Sequence, residues 1–247
     1  YCGGKEDSGK DGDTEYTDPE PPADQASLLQ FGANAATVTV SGYSSGGMMS
    51  NIIMILMSDT IMGAGMIAGQ PFATKIDLNE PDMDTATQIT DFCVARATQS
   101  ASDGEIAALS NLENAPIYIH SGSDDPTVYP VYQEAQRDFF LNYNANVEFE
   151  QRETSHSIPT DAAEKIFTHL YPNIEGSGIS EIASDPEWED KAVLRLFDQT
   201  EFIVDGSWEG ITGLRDWGYV LYPNACIDAE TTCHIHFYFH GGMGFGR

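Results

Sequence analysis

Apolar residues along this chain fall into two alternating rhythms. Ala36–Val40 (A-T-V-T-V), Ile61–Gly69 (I-M-G-A-G-M-I-A-G), Ala115–His120 (A-P-I-Y-I-H) and Val147–Glu150 (V-E-F-E) are short runs of strand character, the second reading as a buried parallel strand. Between them come helical patterns. Met48–Met57 is apolar nearly all round and is expected to be a helix buried on most faces, its methionines acting as core filler. Tyr132–Asn142 repeats its apolar residues at three and four, and Asp161–Leu170 reads as a helix. Residues 71–104 are polar and interrupted by prolines, which predicts loop and short helix, with Ile106–Leu112 finishing a helix. Strand and helix in alternation predict an α/β fold with a mostly parallel sheet and helices on both faces. The pattern weakens after Tyr171, leaving short elements at Arg195–Thr200 and Glu201–Val204, a turn-rich stretch, and strands at Gly218–Pro223 and His234–His240.

Composition adds limits to this outline. Residues 1–25 are poor in apolar side chains and rich in Asp, Glu, Gly and Pro, so burial cannot offset their ordering entropy. They are expected to form a flexible acidic tether ahead of one domain over residues 26–247, a length that can bury a substantial core. Eleven basic and 39 acidic side chains give 11 − 39 = −28. Such a surface is a poor partner for nucleic acid or anionic membrane, because phosphate binding needs clustered Lys and Arg. The acids are scattered, with no D-x-D-x-D-G loop and no His/Cys cluster at zinc spacing, so no metal site is expected. No apolar run is long enough to cross a bilayer.

The cysteines bear on location. Cys226 and Cys233 flank the polar loop I-D-A-E-T-T between two expected strands, and a disulfide there would staple a hairpin, which suits an exported protein. Cys93 is expected to be a small buried residue. Cys2-Gly3-Gly4, followed by the acidic tract, resembles the mature start of a bacterial lipoprotein, with Cys2 carrying a lipid anchor. Tyr1 in place of Met is what a processed chain or a fragment is expected to show. An extracellular or cell-surface location follows, periplasmic or outer-membrane lipoprotein included.

The candidate chemistry centres on Ser41–Gly47, S-G-Y-S-S-G-G. It holds G-x-S-x-G between a strand and a helix, the context in which a sharp turn lifts a serine hydroxyl above the sheet. Ser44 is the candidate nucleophile; a connecting Gly/Ser loop would carry the same letters. A serine nucleophile needs a base and an acid that orients the base. Asp125, in G-S-D-D-P-T-V, and His156, in R-E-T-S-H-S-I-P-T-D, each lie in a loop directly after an expected strand, in the order Ser, Asp, His of an α/β-hydrolase. Loops at the carboxyl ends of parallel strands converge on one side of the sheet. Asp124 competes with Asp125, and spacing alone does not separate them; either could instead serve an Asx turn or a cap. His120, His169, His234 and His236 fall within strands or a helix, where structural roles are expected. An oxyanion hole would take one backbone N–H from Ser45 and a second from an H-G-G loop. His240-Gly241-Gly242 supplies that motif far downstream of the serine, so it is either incidental or the mark of a circular permutation.

These blocks resemble the circularly permuted polyhydroxybutyrate depolymerases of the α/β-hydrolase superfamily. The resemblance runs from about residue 30 to the end. It rests on V-S-G-Y-S-S-G-G, G-A-G-M-I-A-G-Q-P-F, S-G-S-D-D-P-T-V, S-H-S-I-P-T-D, F-D-Q-T-E-F and G-Y-V-L-Y-P-N-A-C followed by F-H-G. It implies Ser44 as nucleophile, Asp125 as acid, His156 as base, and the N–H groups of Ser45 and Gly242 as the oxyanion hole. Family members carry cysteine at the position of Gly242 and another near Thr74, so fewer disulfides are expected here. They also continue beyond the H-G loop, which implies truncation at the C-terminus. The implied function is hydrolysis of poly(3-hydroxybutyrate) or a related aliphatic polyester through an acyl-enzyme, without a cofactor, by a monomer. Two other readings stay open: a feruloyl or acetyl esterase of plant polysaccharide, and a non-catalytic surface binding protein on the same fold.

Overall fold

Residues 33–74, 83–172, 192–198, 217–227 and 232–242 are described by the structure, a computed structural model. The expected tether, Cys2 and the element expected at Glu201–Val204 lie outside these residues. The described chain contains seven strands: β1 (Ala33–Tyr43), β2 (Ile61–Ile67), β3 (Pro116–Gly122), β4 (Asn146–Arg152), β5 (Ala192–Asp198), β6 (Trp217–Pro223) and β7 (Cys233–Phe239). Its α-helices are α1 (Ser45–Leu56), α2 (Ala86–Ser102), α3 (Pro130–Asn142) and α4 (Ala162–Leu170). Two compact units are distinguished, Gln30–Val193 with Tyr222–Arg247, and Tyr1–Leu29 with Leu194–Leu221. The larger is built on a five-stranded sheet ordered β4-β3-β2-β1-β7, every neighbouring pair parallel. A separate two-stranded sheet joins β5 to β6.

Side-chain alternation along the strands divides the larger unit into layers. Val38, Val40, Ala64, Met66, Ile117 and Ile119 face one way and form the main core with Met54 and Ile55 of α1, Ile89 and Cys93 of α2, and Phe139 and Phe140 of α3. On the opposite face Ile67 and Tyr118 pack under Ala162, Ile166 and Leu170 of α4. Right-handed crossovers explain this division: steps in one direction put their helices on one face, and a reversal moves the next helix to the other. The chain steps from β1 through β4 with α1, α2 and α3 on one side, then returns through α4 to place β7 beyond β1. The carboxyl end of β1 is therefore a topological switch point, where ligands of such sheets bind.

Several expectations change. The stretch read as irregular contains α2, a helix of 17 residues. It starts with a capping box in which Thr85 accepts from the Gln88 N–H and Gln88 reaches back, and its buried stripe is only Ile89, Cys93 and Ala97. That narrow stripe hid the helix among polar residues, although T-A-T-Q was a legible start signal. Ile106–Leu112 yields only a 3-10 turn at Leu109–Leu112. Helix α1 is less enclosed than its composition implies, with Met49, Leu56 and the capping residue Met57 exposed. The Cys226–Cys233 disulfide is present. It does not staple a hairpin, because β6 pairs with β5 and β7 pairs with β1. The expected element at Arg195–Thr200 is β5, which begins earlier, at Ala192.

The β1–β7 seam is fixed by more than its ladder. His236 presents one ring nitrogen to Thr39 Oγ1 at 2.7 Å and the other to Ser41 Oγ at 2.6 Å, both of these residues being buried on β1. Tyr171, just after α4, adds its hydroxyl to Thr39 at 2.6 Å, and Phe167 packs edge-on against the His236 ring. Burial pushes His236 down to about 4 from its ordinary 6.5. The turn after β1 also crosses the end of β7 at bare backbone: a methyl on Gly46 would overlap the Phe239 carbonyl and lie 2.6 Å from the His240 oxygen.

Two outcomes are expected. Between pH 6.5 and 4 the unfolded chain takes a proton on His236 that the folded chain refuses, so stability complete above pH 6.5 is lost as pH falls towards 4. His120, lowered by burial, acts in the same direction. Urea midpoints followed by circular dichroism should fall from pH 7 to 4.5, and less steeply in His236→Gln; an identical slope in the variant would refute this role. Gly46→Ala should destabilise by about 3 kcal/mol or more, since neither backbone can retreat. A loss below about 1 kcal/mol would show that the crossing is not as tight as described.

Candidate active site

Four loops meet at the carboxyl ends of the parallel strands. Ser44 follows β1, Asp125 follows β3, His156 follows β4 and Gly241-Gly242 follows β7. Ser44 caps α1 with φ 57° and ψ −119°, a conformation that non-glycine residues reach only under strain. The surroundings hold it there: its N–H donates to Ile67 O at 2.9 Å, and its carbonyl accepts from Met48 N–H at 3.0 Å. A methyl on Gly42 would overlap the Gly46 carbonyl and sit 2.7 Å from Phe239 O. Both glycines of G-x-S-x-G are thus needed because three stretches of backbone cross where a Cβ would fit nowhere.

The three polar side chains form one hydrogen-bonded line. His156 Nε2 lies 3.0 Å from Ser44 Oγ, and His156 Nδ1 lies 2.6 Å from Asp125 Oδ2. The Asp125 side chain is 0 % exposed and that of His156 18 % exposed, so the acid is sealed while the imidazole still reaches solvent. Asp125 Oδ1 accepts from the backbone N–H groups of Thr127 at 2.8 Å and Val128 at 2.9 Å. One oxygen closes an Asx turn and the other lies at hydrogen-bonding distance from the histidine. Asp124 is exposed; its backbone N–H donates to Thr154 O at 3.1 Å and its side chain does not reach His156. His120, His169 and His236 take packing or hydrogen-bonding places in the sheet and α4.

The H-G-G segment reaches the serine because β7 lies directly beside β1. A methyl on Gly241 would come 3.3 Å from Ser44 Cβ, and one on Gly242 would come 3.9 Å from Ser45 Oγ. Gly242, distant in sequence, thus lies beside Ser45, and Gly241 beside Ser44. Tyr43, not singled out from the sequence, also belongs to the site. Its hydroxyl donates to the His156 carbonyl at 3.0 Å, and its ring lies 4.9 Å from the imidazole. Burial, with Asp125 and Tyr238 nearby, raises the Tyr43 hydroxyl above its ordinary value and keeps it a donor. Its only sequence signal was its place as the first x of G-x-S-x-G. Among the described residues no group of His, Cys, Asp and Glu is arranged to hold a metal ion.

No family model matches the chain. Two curated proteins do: the poly(3-hydroxybutyrate) depolymerase of Delftia acidovorans, 27% identical over 233 residues, and the polyhydroxybutyrate depolymerase of Talaromyces funiculosus, 27% identical over 232. The matches cover 82% and 87% of this chain, but 44% of the first protein and 67% of the second. The chain therefore spans less than half the length of the Delftia enzyme. Among solved structures, the PHB depolymerase from Penicillium funiculosum superposes with a TM-score of 0.66 at 23% identity, covering 87% of this chain and 72% of that one. A PHB depolymerase complexed with an R3HB trimer gives 0.61 at 24% identity with the same coverage. The chain has an α/β-hydrolase fold and is similar in sequence to the polyhydroxybutyrate depolymerases.

Proposed function

We propose that the protein is a serine carboxylester hydrolase that cleaves poly(3-hydroxybutyrate), a related aliphatic polyester, or their oligomers. The observation that carries this reading is the hydrogen-bonded line from Ser44 Oγ through His156 to the sealed Asp125 carboxylate. The substrate class is supported by the names of the relatives and by the R3HB trimer bound to one of them.

In this reading Ser44 Oγ attacks the ester carbonyl carbon while His156 Nε2 takes its proton, and Asp125 stabilises the imidazolium that forms. The carbonyl oxygen, now an oxyanion, receives hydrogen bonds from the N–H groups of Ser45 and Gly242. Collapse of the intermediate breaks the C–O bond, and His156 returns the proton to the leaving alkoxide. Water, deprotonated by the same nitrogen, then releases the hydroxyacid and restores Ser44. No step calls for a metal or an organic cofactor. The Cys226–Cys233 disulfide supports export to an oxidising compartment, and a lipid on Cys2 and a monomeric state belong to the same proposal.

Ser44→Ala and His156→Ala should each lower kcat on a soluble hydroxybutyrate oligomer roughly a millionfold, and Asp125→Asn roughly ten-thousandfold. A fluorophosphonate probe should label wild type on Ser44 and leave Ser44→Ala untouched. A folded wild-type protein that neither labels nor hydrolyses esters would point to a binding protein instead. Clearing of a polyhydroxybutyrate suspension without release of ferulate or acetate separates the polyester reading from a polysaccharide esterase.

A further inference from the structure

The His156 loop, residues 153–160, leaves β4 at Arg152 and enters α4 at Asp161. Its outgoing limb is tied to the Asp125 loop through backbone. Ser123 N–H donates to Arg152 O at 2.8 Å and Asp124 N–H to Thr154 O at 3.1 Å. At its middle Tyr43 holds the His156 carbonyl. The return limb is joined to α4 by a local turn, Ala162 N–H to Pro159 O at 3.1 Å, and among the described residues no backbone bond ties it to the Asp125 loop. It is closed by a fork: Arg152 Nη1 donates to Asp161 Oδ1 at 2.9 Å, and Nη2 to Asp161 Oδ2 at 2.7 Å. Arg152 Nη2 also meets Glu150 Oε1 at 2.9 Å, Lys165 pairs with Glu150, and Tyr118 donates to Glu150 Oε2 at 2.7 Å. The fork therefore stands on a braced base. Hydrogen bonds from Arg152 lower Asp161 to about 2, so the carboxylate stays charged throughout the neutral range.

We infer that Arg152 and Asp161 are positioning residues for His156: their bidentate pair closes the neck of the loop and sets the imidazole at hydrogen-bonding distance from both Ser44 and Asp125. This rests on the hydrolase reading for its effect on rate, though not for its effect on the histidine. Both side chains are about a third exposed, 32% and 39%, where an ion pair adds little to global stability. Its consequence is geometric, and small misplacements of a catalytic group cost large factors in rate. The planar guanidinium is needed because a lysine ammonium cannot span two oxygens in one plane.

The test compares Arg152→Lys, Asp161→Asn and Asp161→Glu with wild type. The first two should lower kcat on a soluble ester about tenfold or more, with KM changed less than twofold and the thermal midpoint near wild type. Asp161→Glu, which keeps a carboxylate, should recover part of the loss. Independently of turnover, proton NMR should show a sharp downfield signal from His156 Nδ1–H bonded to Asp125 in wild type, broadened or lost in Arg152→Lys and Asp161→Asn. Wild-type kcat and an unaltered resonance in both variants would overturn the inference, as would absence of the resonance from wild type. A wild-type protein that shows the resonance but hydrolyses no ester sinks the hydrolase reading alone, and the resonance in the variants then decides the positioning role.

Discussion

Three backbones meet at the serine turn with no side chain between them. Gly42 closes onto the Gly46 carbonyl, and both glycines lie against the carbonyl of Phe239 at the end of β7. Tight packing of this kind leaves each strand a single permitted position. The turn must leave β1 abruptly, which drives Ser44 into its strained φ and ψ, and the cost of about 1–3 kcal/mol is met by the surrounding packing and hydrogen bonds. The same contact fixes the end of β7, so the glycines after His240 arrive beside Ser44 and Ser45. One steric constraint thus places the candidate nucleophile and the candidate oxyanion donors together.

The histidine reaches this point by a different route. It hangs from a loop rather than from a strand, and its place is set by contacts from three directions: Tyr43 beneath, the Asp125 loop alongside, and the Arg152–Asp161 pair at the neck. Asp125 is held more rigidly than His156, since the two N–H groups on Oδ1 fix the carboxylate plane before the imidazole is considered. In the proposed mechanism a fixed acid and a looser base would suit proton transfer, because the imidazole would address the serine oxygen and then the departing group while keeping its orienting bond.

The sequence made strands β1 to β4 legible because their neighbours across the sheet also demand apolar residues, and it made α3 and α4 legible through their spacing. Helix α2 was not, since its outer faces are polar and its inner stripe is narrow. The fate of β7 was half legible: H-I-H-F-Y-F reads as a strand, but nothing local says that it joins β1 rather than pairing back with G-Y-V-L-Y-P. Pairing is decided by which strand offers partners for His234 and His236, and that information lies in Thr39, Ser41 and Tyr171, remote in sequence. For the same reason Tyr43 and Arg152 escaped notice. Their roles are defined by what they touch, and neither belongs to a residue type that signals those roles on its own.

The polar groups that hold the two halves of the site follow opposite electrostatic rules. Along the β1–β7 seam Thr39, Ser41, Tyr171 and His236 are all neutral at pH 7, each donor matched to an acceptor. A charge there would cost several kcal/mol of desolvation, which a ladder of hydroxyls cannot return. At β4, the opposite edge of the sheet, solvent reaches Glu150, Arg152, Asp161 and Lys165, and ions are tolerated because water already shares their solvation. The seam that carries the Gly242 loop therefore answers to acid, through a histidine that must stay neutral. The neck of the His156 loop is held by partly exposed ions, whose net attraction is weakened by water and added salt. In a chain of net charge −28, with only 11 basic side chains, Arg152 and Lys165 locally balance Glu150 and Asp161 at that neck.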